Sequence, residues 1–139
     1  MAYGYLGEGF RLSNSSGGSI EITIESAQTT ASGYQTVYTF TPPEDSGFSV
    51  IFAINSFNVT THAKLSVIEA RGGFYRTGAA APALVGGGSG LTMSQRDNFS
   101  PNVQVRLLVS GNDVLLQVNP GTANTVDYTY ELKIISFNA

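Results

Sequence analysis

The chain has no cysteine and no tryptophan, a single histidine, and few charges. Without cysteine it can build no disulfide, thiolate nucleophile or thiolate metal site. The lone histidine, His62, follows Thr60-Thr61 with no acidic cluster close in sequence, so it reads as a surface or interface residue and cannot make a His-rich site within one chain. No metal and no cofactor is therefore expected. Asp, Glu, Lys and Arg make up 12% of the 139 residues, about half the share of an ordinary soluble domain. Seven Lys+Arg against ten Asp+Glu leave a net charge of -3, with no basic run to neutralise a phosphate backbone, which excludes nucleic acid as an expected partner. Long apolar runs are absent too: Val50-Ile-Phe-Ala-Ile54 is the longest, far below the ~20 residues a membrane helix needs. The opening Met1-Ala-Tyr-Gly-Tyr-Leu-Gly7 carries neither the basic region nor the apolar stretch of a signal peptide. These absences predict a soluble protein, or part of a soluble particle, with no membrane insertion.

What is present is glycine, β-branched residues and alternation. Sixteen glycines, with many Ser, Thr and Asn, cut the chain into short pieces in which apolar residues recur at every second position, the period of a strand. In Val103-Gln-Val-Arg-Leu-Leu-Val109, the residues Val103, Val105, Leu107 and Val109 share one face of a pleat. Gly111-Asn112 then supplies residues that tolerate positive φ, and Asp113 to Val118 returns as the second arm of a tight hairpin. Asn119-Pro-Gly121 is the signature of a type II turn. Beyond it Val126, Tyr128, Tyr130, Leu132 and Ile134 alternate with polar residues until Ile135 and Phe137 make the second face apolar as well, predicting cover on both sides by this chain or another. Ser19 to Glu25, Tyr34 to Phe40, Phe48 to Asn58 and Ala63 to Glu69 are further strand segments. No segment carries capped helical periodicity. The expectation is an all-β chain of about eight strands, an antiparallel β-sandwich or barrel-like, jelly-roll-like single domain over residues 19–139. Residues 1–18, rich in glycine and serine, read as an extended N-terminal arm whose Tyr3, Tyr5, Leu6 and Phe10 are candidate contacts to a capsid or partner. Residues 77–90 are small, which predicts a loop or a close backbone approach where larger side chains would clash.

Chemistry-bearing motifs are few. Gly87-Gly-Ser-Gly90 fails the nucleophile elbow because Leu91 stands where its second glycine belongs, and it fails the phosphate-binding loop because no Lys-Ser/Thr follows. Glu69, Asp97 and Asp127 are the carboxylates to check for glycoside hydrolysis, whose pairs stand ~5 to 9.5 Å apart. Glu21 and Glu25, like Asp127 and Glu131, read as charges on the solvated face of a strand. Asn58-Val-Thr60 and Asn14-Ser-Ser16 match the glycosylation sequon by chance. Arg71-Gly-Gly-Phe-Tyr-Arg76 gathers two guanidinium groups around two aromatics, so Arg71, Phe74, Tyr75 and Arg76 are candidate ligand or interface contacts. The competing reading puts one of the two rings in the core. Phe74, Tyr75 and Tyr128 together are the candidate stacking surface of a carbohydrate-binding module.

From Phe48 to the C-terminus the order of elements resembles β-domains of tailed-bacteriophage virion proteins. The resemblance is carried by Arg71-Gly-Gly-Phe-Tyr-Arg76, Ala83-Leu-Val-Gly86, Arg96-Asp97, the hairpin from Val103 to Val118, and Asn119-Pro-Gly-Thr-Ala-Asn-Thr-Val-Asp-Tyr-Thr-Tyr130. Where that pattern often has tryptophan, this chain has Tyr128. The resemblance implies a virion protein without catalysis, commonly trimeric, in contact with other virion proteins. Low charge and strands apolar on both faces agree with a homotrimer. The expectation is a trimeric capsid decoration or cement protein; the alternatives are a tail-fibre or tailspike receptor-binding knob and a small carbohydrate-binding module taking a host surface glycan.

Overall fold

The computed structural model describes residues 9–13, 18–86, 88, 90–98 and 103–138, with side chains described outside 9–13, 63–66, 93–98 and 138. Ten strands and no helix are assigned among them: β1 Gly9–Ser13, β2 Gly18–Thr29, β3 Gln35–Phe40, β4 Ser46–Asn58, β5 Ala63–Arg76, β6 Ala83–Leu84, β7 Leu91–Asn98, β8 Gln104–Ser110, β9 Asp113–Asn119 and β10 Val126–Asn138. Seven of them form one sheet in the order β1-β2-β10-β4-β5-β6, with β7 also on β5, and β3-β9-β8 form a second. Every pairing is antiparallel. The expected all-β sandwich is what the chain makes.

The core lies where the small sheet covers the large one. Val50, Phe52 and Ile54 of β4, Ile68, Ala70 and Phe74 of β5, and Val126 to Leu132 at alternate positions of β10 are buried against Val105, Leu107, Val114, Leu116 and Val118. Rings join the layers: Phe40 of the small sheet meets Phe74 of the large one at 5.0 Å between centroids, in a tilted geometry that aromatic pairs favour. The two turns expected between Val103 and Tyr128 form around Gly111 and Gly121, at φ of 59° and 67°, where a side chain would clash with its own backbone.

The small residues before β7 make a close backbone approach. A Cβ placed on Gly72 would stand 1.8 Å from the carbonyl oxygen of Gly90. On Gly73 it would stand 2.7 Å from the carbonyl oxygen of Phe48. β5 is therefore crossed so tightly that two consecutive glycines are needed at its middle. Strands β6 and β7 have no sequence signature, since Leu91-Thr-Met-Ser-Gln-Arg-Asp-Asn98 lacks alternation; pairing with β5, in register from Gly72 and Leu91 to Ser66 and Asn98, is what makes β7 a strand. Of the proposed arm, residues 9–13 form β1 on the edge of the large sheet, paired with β2. Tyr3, Tyr5 and Leu6 lie outside the described residues, as does the Phe10 side chain.

β2 corrects the sequence reading. Its register places Glu21 opposite Ile134, Thr23 opposite Leu132 and Glu25 opposite Tyr130. Directly opposed residues share a face, so Glu21 and Glu25 point to the inner side of the large sheet and Ile20, Ile22 and Ile24 to the outer side. The cause is the mismatch in sheet width. Three strands span about 10 Å and six ranks of strands about 24 Å at the usual ~4.8 Å spacing, so the small sheet cannot reach over β2. Polar residues can thus occupy its inner face. On the outer face Ile24, Ile135 and Phe137 are 38%, 40% and 58% exposed. The double cover expected at the end of β10 is not supplied by the described residues of this chain.

Candidate functional site: a cleft between the sheets beside β2

The same mismatch opens a cleft of about 400 Å3 between β3 and the inner face of β2, β10 and β4. Its walls are Glu21, Tyr38 and Phe48, with Ser19 and Ser136 on one side and the Thr39 to Pro43 segment on the other. β3 brings Tyr38 and Phe40 inward because they are two apart on one pleat, and their rings lie 4.9 Å apart. Phe48 continues the aromatic wall, stacked on Phe74 at 4.9 Å and 22°. The wall's polar half is equally defined. Burial, then the negative charges of Glu21 and Glu25, hold the Tyr38 phenol above its ordinary pKa. Ser19 and Ser136 hydroxyls pair across β2 and β10. Deeper in, the Tyr130 hydroxyl donates to the Val37 carbonyl at 3.1 Å. Burial, followed by Glu25 and Tyr38, pushes the Tyr130 phenol up to about 12.

The rim is held from outside the cleft. Arg76 Nη1 donates to the Pro42 carbonyl at 2.9 Å and its Nε to the Ala80 carbonyl at 2.9 Å. Ser46 Oγ donates to the Pro43 carbonyl at 2.6 Å, and Asp45 Oδ1 accepts from the Gly78 amide at 2.8 Å. One of the arginines singled out in the sequence thus fixes the Pro42-Pro43 edge.

The rest of that motif is divided by the strand period. Phe74 is 1% exposed and belongs to the core, whereas Tyr75 is 48% exposed and Arg71 is exposed too. The stacking surface of Phe74, Tyr75 and Tyr128 does not form, because Tyr128 is also 1% exposed and its hydroxyl meets Thr29 Oγ1 at 3.1 Å. Among the carboxylates, Glu69 is exposed, on the sheet's outer side by register with Ala53. Asp127 is exposed as well and accepts from Gln28 Nε2 at 2.7 Å, while the Asp97 side chain lies outside the described residues. Glu21 and Glu25 stand four residues apart on one strand, with Cα atoms ~13 Å apart. His62 is exposed, at φ 59°, with its ring edge-on to Phe57. No cluster of His, Cys, Asp and Glu suited to a metal occurs among the described residues. Asn58 is buried, and its Oδ1 accepts from the Thr61 amide at 3.0 Å, so this sequon is closed to modification in the folded chain.

Sequence reasoning missed Glu21, Tyr38, Phe48, Ser19 and Ser136 as a group. Tyr38, Phe40 and the following Pro42-Pro43 were a visible aromatic-proline signal, but nothing local says that β2 turns its glutamates towards them.

The fold and cleft define an antiparallel two-sheet β-sandwich with an open edge. No protein-family model and no curated protein matches the chain. Among solved structures it is similar to the tailspike protein gp49 of Acinetobacter baumannii bacteriophage Fri1, a capsular polysaccharide depolymerase. That likeness has a TM-score of 0.50 at 16% identity and covers 99% of this chain and 21% of that one. The tailspike protein of Acinetobacter baumannii phage AM24 aligns at TM-score 0.41 and 12% identity over 86% of this chain and 26% of that one. The chain thus spans about a fifth to a quarter of the length of these proteins. The Fri1 likeness shows a shared fold: this sandwich is an architecture found within a phage tailspike. The expectation of a protein without catalysis is corrected by the same finding, because the protein with this fold is a depolymerase and the fold therefore does not exclude an enzyme.

Proposed function

We propose that the chain is a β-domain of a phage tail appendage, of the tail-fibre or tailspike kind, within an apparatus that engages polysaccharide on the host surface. The observation that carries this reading is the Fri1 likeness, which takes in 99% of the chain as one unit. It favours the tail over the capsid-decoration role, and residues 9–13 of the expected arm are paired with β2 in the large sheet. The domain acts as a homotrimer in contact with other virion proteins. Supporting this is the outer face of the large sheet, where Ile24, Ile135 and Phe137 stay exposed in one chain and would be covered by another.

Antibody against the chain, applied to intact virions and imaged by immunogold electron microscopy, should decorate the tail; decoration of the head alone would overturn the tail reading. Light scattering on the purified chain should give a mass of three chains independent of concentration, and a stable monomer would remove the trimer.

A further inference from the structure

The outer face of the large sheet is divided across its strands into two unlike halves. In one row Lys133 stands opposite Ile51 and Ile51 opposite Arg71; in the next, Glu131 stands opposite Ala53 and Ala53 opposite Glu69. Directly opposed residues share a face, and alternate residues along each strand continue it. On the Lys133 side the face runs on to Ile135, Phe137 and Tyr75, which are 40%, 58% and 48% exposed. This half is apolar and cationic. On the Glu131 side it runs on to Asp127, so Glu69, Asp127 and Glu131 are the described charges there. By register Lys64 stands opposite Phe57 and Asp97 opposite Val67 on the same half, with Arg96 at the bulge beside Asp97. With those three counted as well, carboxylates still outnumber cations on this half, four to two.

The acidic half is also hollow. Ala53 is the small residue of its row, and over it opens a space of about 270 Å3 walled by Ile24, Val67, Glu69 and Glu131. A cavity of about 150 Å3 holds a benzene ring, so this one has room for a phenyl group. We infer that the two halves bind each other between copies: Phe137 of one chain seats in the hollow over Ala53 of the next, and Lys133 and Arg71 of the first chain face the carboxylates of the second. The inference rests on the homotrimer reading and names the contact that holds it.

Symmetry selects this pairing. In a cyclic trimer each copy shows one surface to the next copy and a different one to the previous, so the two surfaces must match each other rather than themselves. The halves of the outer face do so: a protruding ring answers a hollow, and a cationic row answers an acidic one. Placing like on like would set ring against ring and carboxylate against carboxylate, and the second of these is repulsive. The charges fix partner and register, while the aromatic anchor that loses its exposure on seating supplies most of the affinity.

The test follows the mass of the intact chain by light scattering over a dilution series. Phe137→Ala should raise the dissociation constant of each contact about tenfold or more. Ala53→Phe separates a socket from a merely sticky surface: it fills the hollow while adding apolar area, so the mass should fall towards one chain, whereas a sticky face would keep its mass or gain. The chain has no cysteine, so Ile135→Cys and Ala53→Cys, one on each half, report the pairing directly and serve if Ala53→Phe does not fold. Treated with a short bismaleimide, the two single variants co-expressed should give covalent dimers, and neither variant alone should. Crosslinking within either variant alone, no crosslinking in the mixture, or an unchanged mass in both Phe137→Ala and Ala53→Phe would each overturn the contact. Any of those results with a parent mass of three chains leaves the trimer standing and removes only this contact; a parent that is itself a stable monomer removes the trimer and the contact with it.

Discussion

Replacing Gly72 by alanine should destabilise the fold more than its single added methyl suggests. The new Cβ would lie 1.8 Å from the Gly90 carbonyl oxygen and 2.9 Å from Leu91 Cδ2. The first contact is with backbone, which cannot swing aside as a side-chain tip can. Room behind Gly90 is narrow as well, since a Cβ built on it would stand 3.1 to 3.3 Å from Leu84 and Leu107 side-chain atoms. Relief therefore requires β5 to draw away from the Gly90 carbonyl until a contact of 1.8 Å becomes at least 3.0 Å. Overpacking of this kind costs about 1–3 kcal/mol, and loosening the ladder at the Gly72 and Leu91 pair adds about 1 kcal/mol. A loss of about 2–4 kcal/mol corresponds to a fall in Tm of roughly 6–12 °C for a domain of this length. Gly47→Ala is the control, since a Cβ there meets nothing within 4 Å, and it should stay within about 1 kcal/mol of the parent. Urea unfolding followed by tyrosine fluorescence and far-UV circular dichroism measures both. If Gly72→Ala unfolds at the parent's midpoint, or Gly47→Ala loses as much, the close approach of β5 and Gly90 is refuted.

Other consequences follow from the buried tyrosines and the outer face. Tyr128→Phe should cost about 1–2 kcal/mol by stranding Thr29 Oγ1 in the core; adding Thr29→Val should cost less than the sum of the single changes, and strict additivity would deny the bond. Tyr38, Tyr128 and Tyr130 all hold their protons more tightly in the folded chain, Tyr130 up to about 12. The native state then keeps protons that the unfolded chain releases, so stability is full below about pH 10 and declines as pH rises from there towards 12, by up to about 3 kcal/mol for Tyr130 alone. Urea midpoints that stay level from pH 9 to 11.5 would contradict this, and Tyr130→Phe should flatten the decline. Ile135→Lys with Phe137→Ser, both on the exposed outer face, should change the stability of the dissociated chain by under about 1 kcal/mol while lowering the solution mass; a large loss of stability with no change in mass would refute an assembly role for that face.

Much of the architecture was legible in the order of residues because it depends on neighbours in the chain. The hairpin of β8 and β9 needs a positive φ at Gly111, and the alternation of Val103, Val105 and Leu107 needs only one buried side. The five inward residues of β10 from Val126 to Ile134 are buried as their period indicates. The glycine-rich stretch before β7 signalled a close approach, and Gly72 against Gly90 is that approach. The choice of face in β2 was not legible. Ile20, Ile22 and Ile24 alternate with Glu21 and Glu25 whichever side is turned inward, and a strand has no inside until it is paired. Register with β10 made that choice by setting Glu21 beside Ile134. The cleft then follows from the small sheet being too narrow to cover β2. Composition and periodicity determined an all-β sandwich with low charge and no thiol chemistry; the pairing of β2 and the unequal widths of the two sheets, which are long-range properties of the packed chain, decided where a carboxylate, two hydroxyls and an aromatic wall would meet.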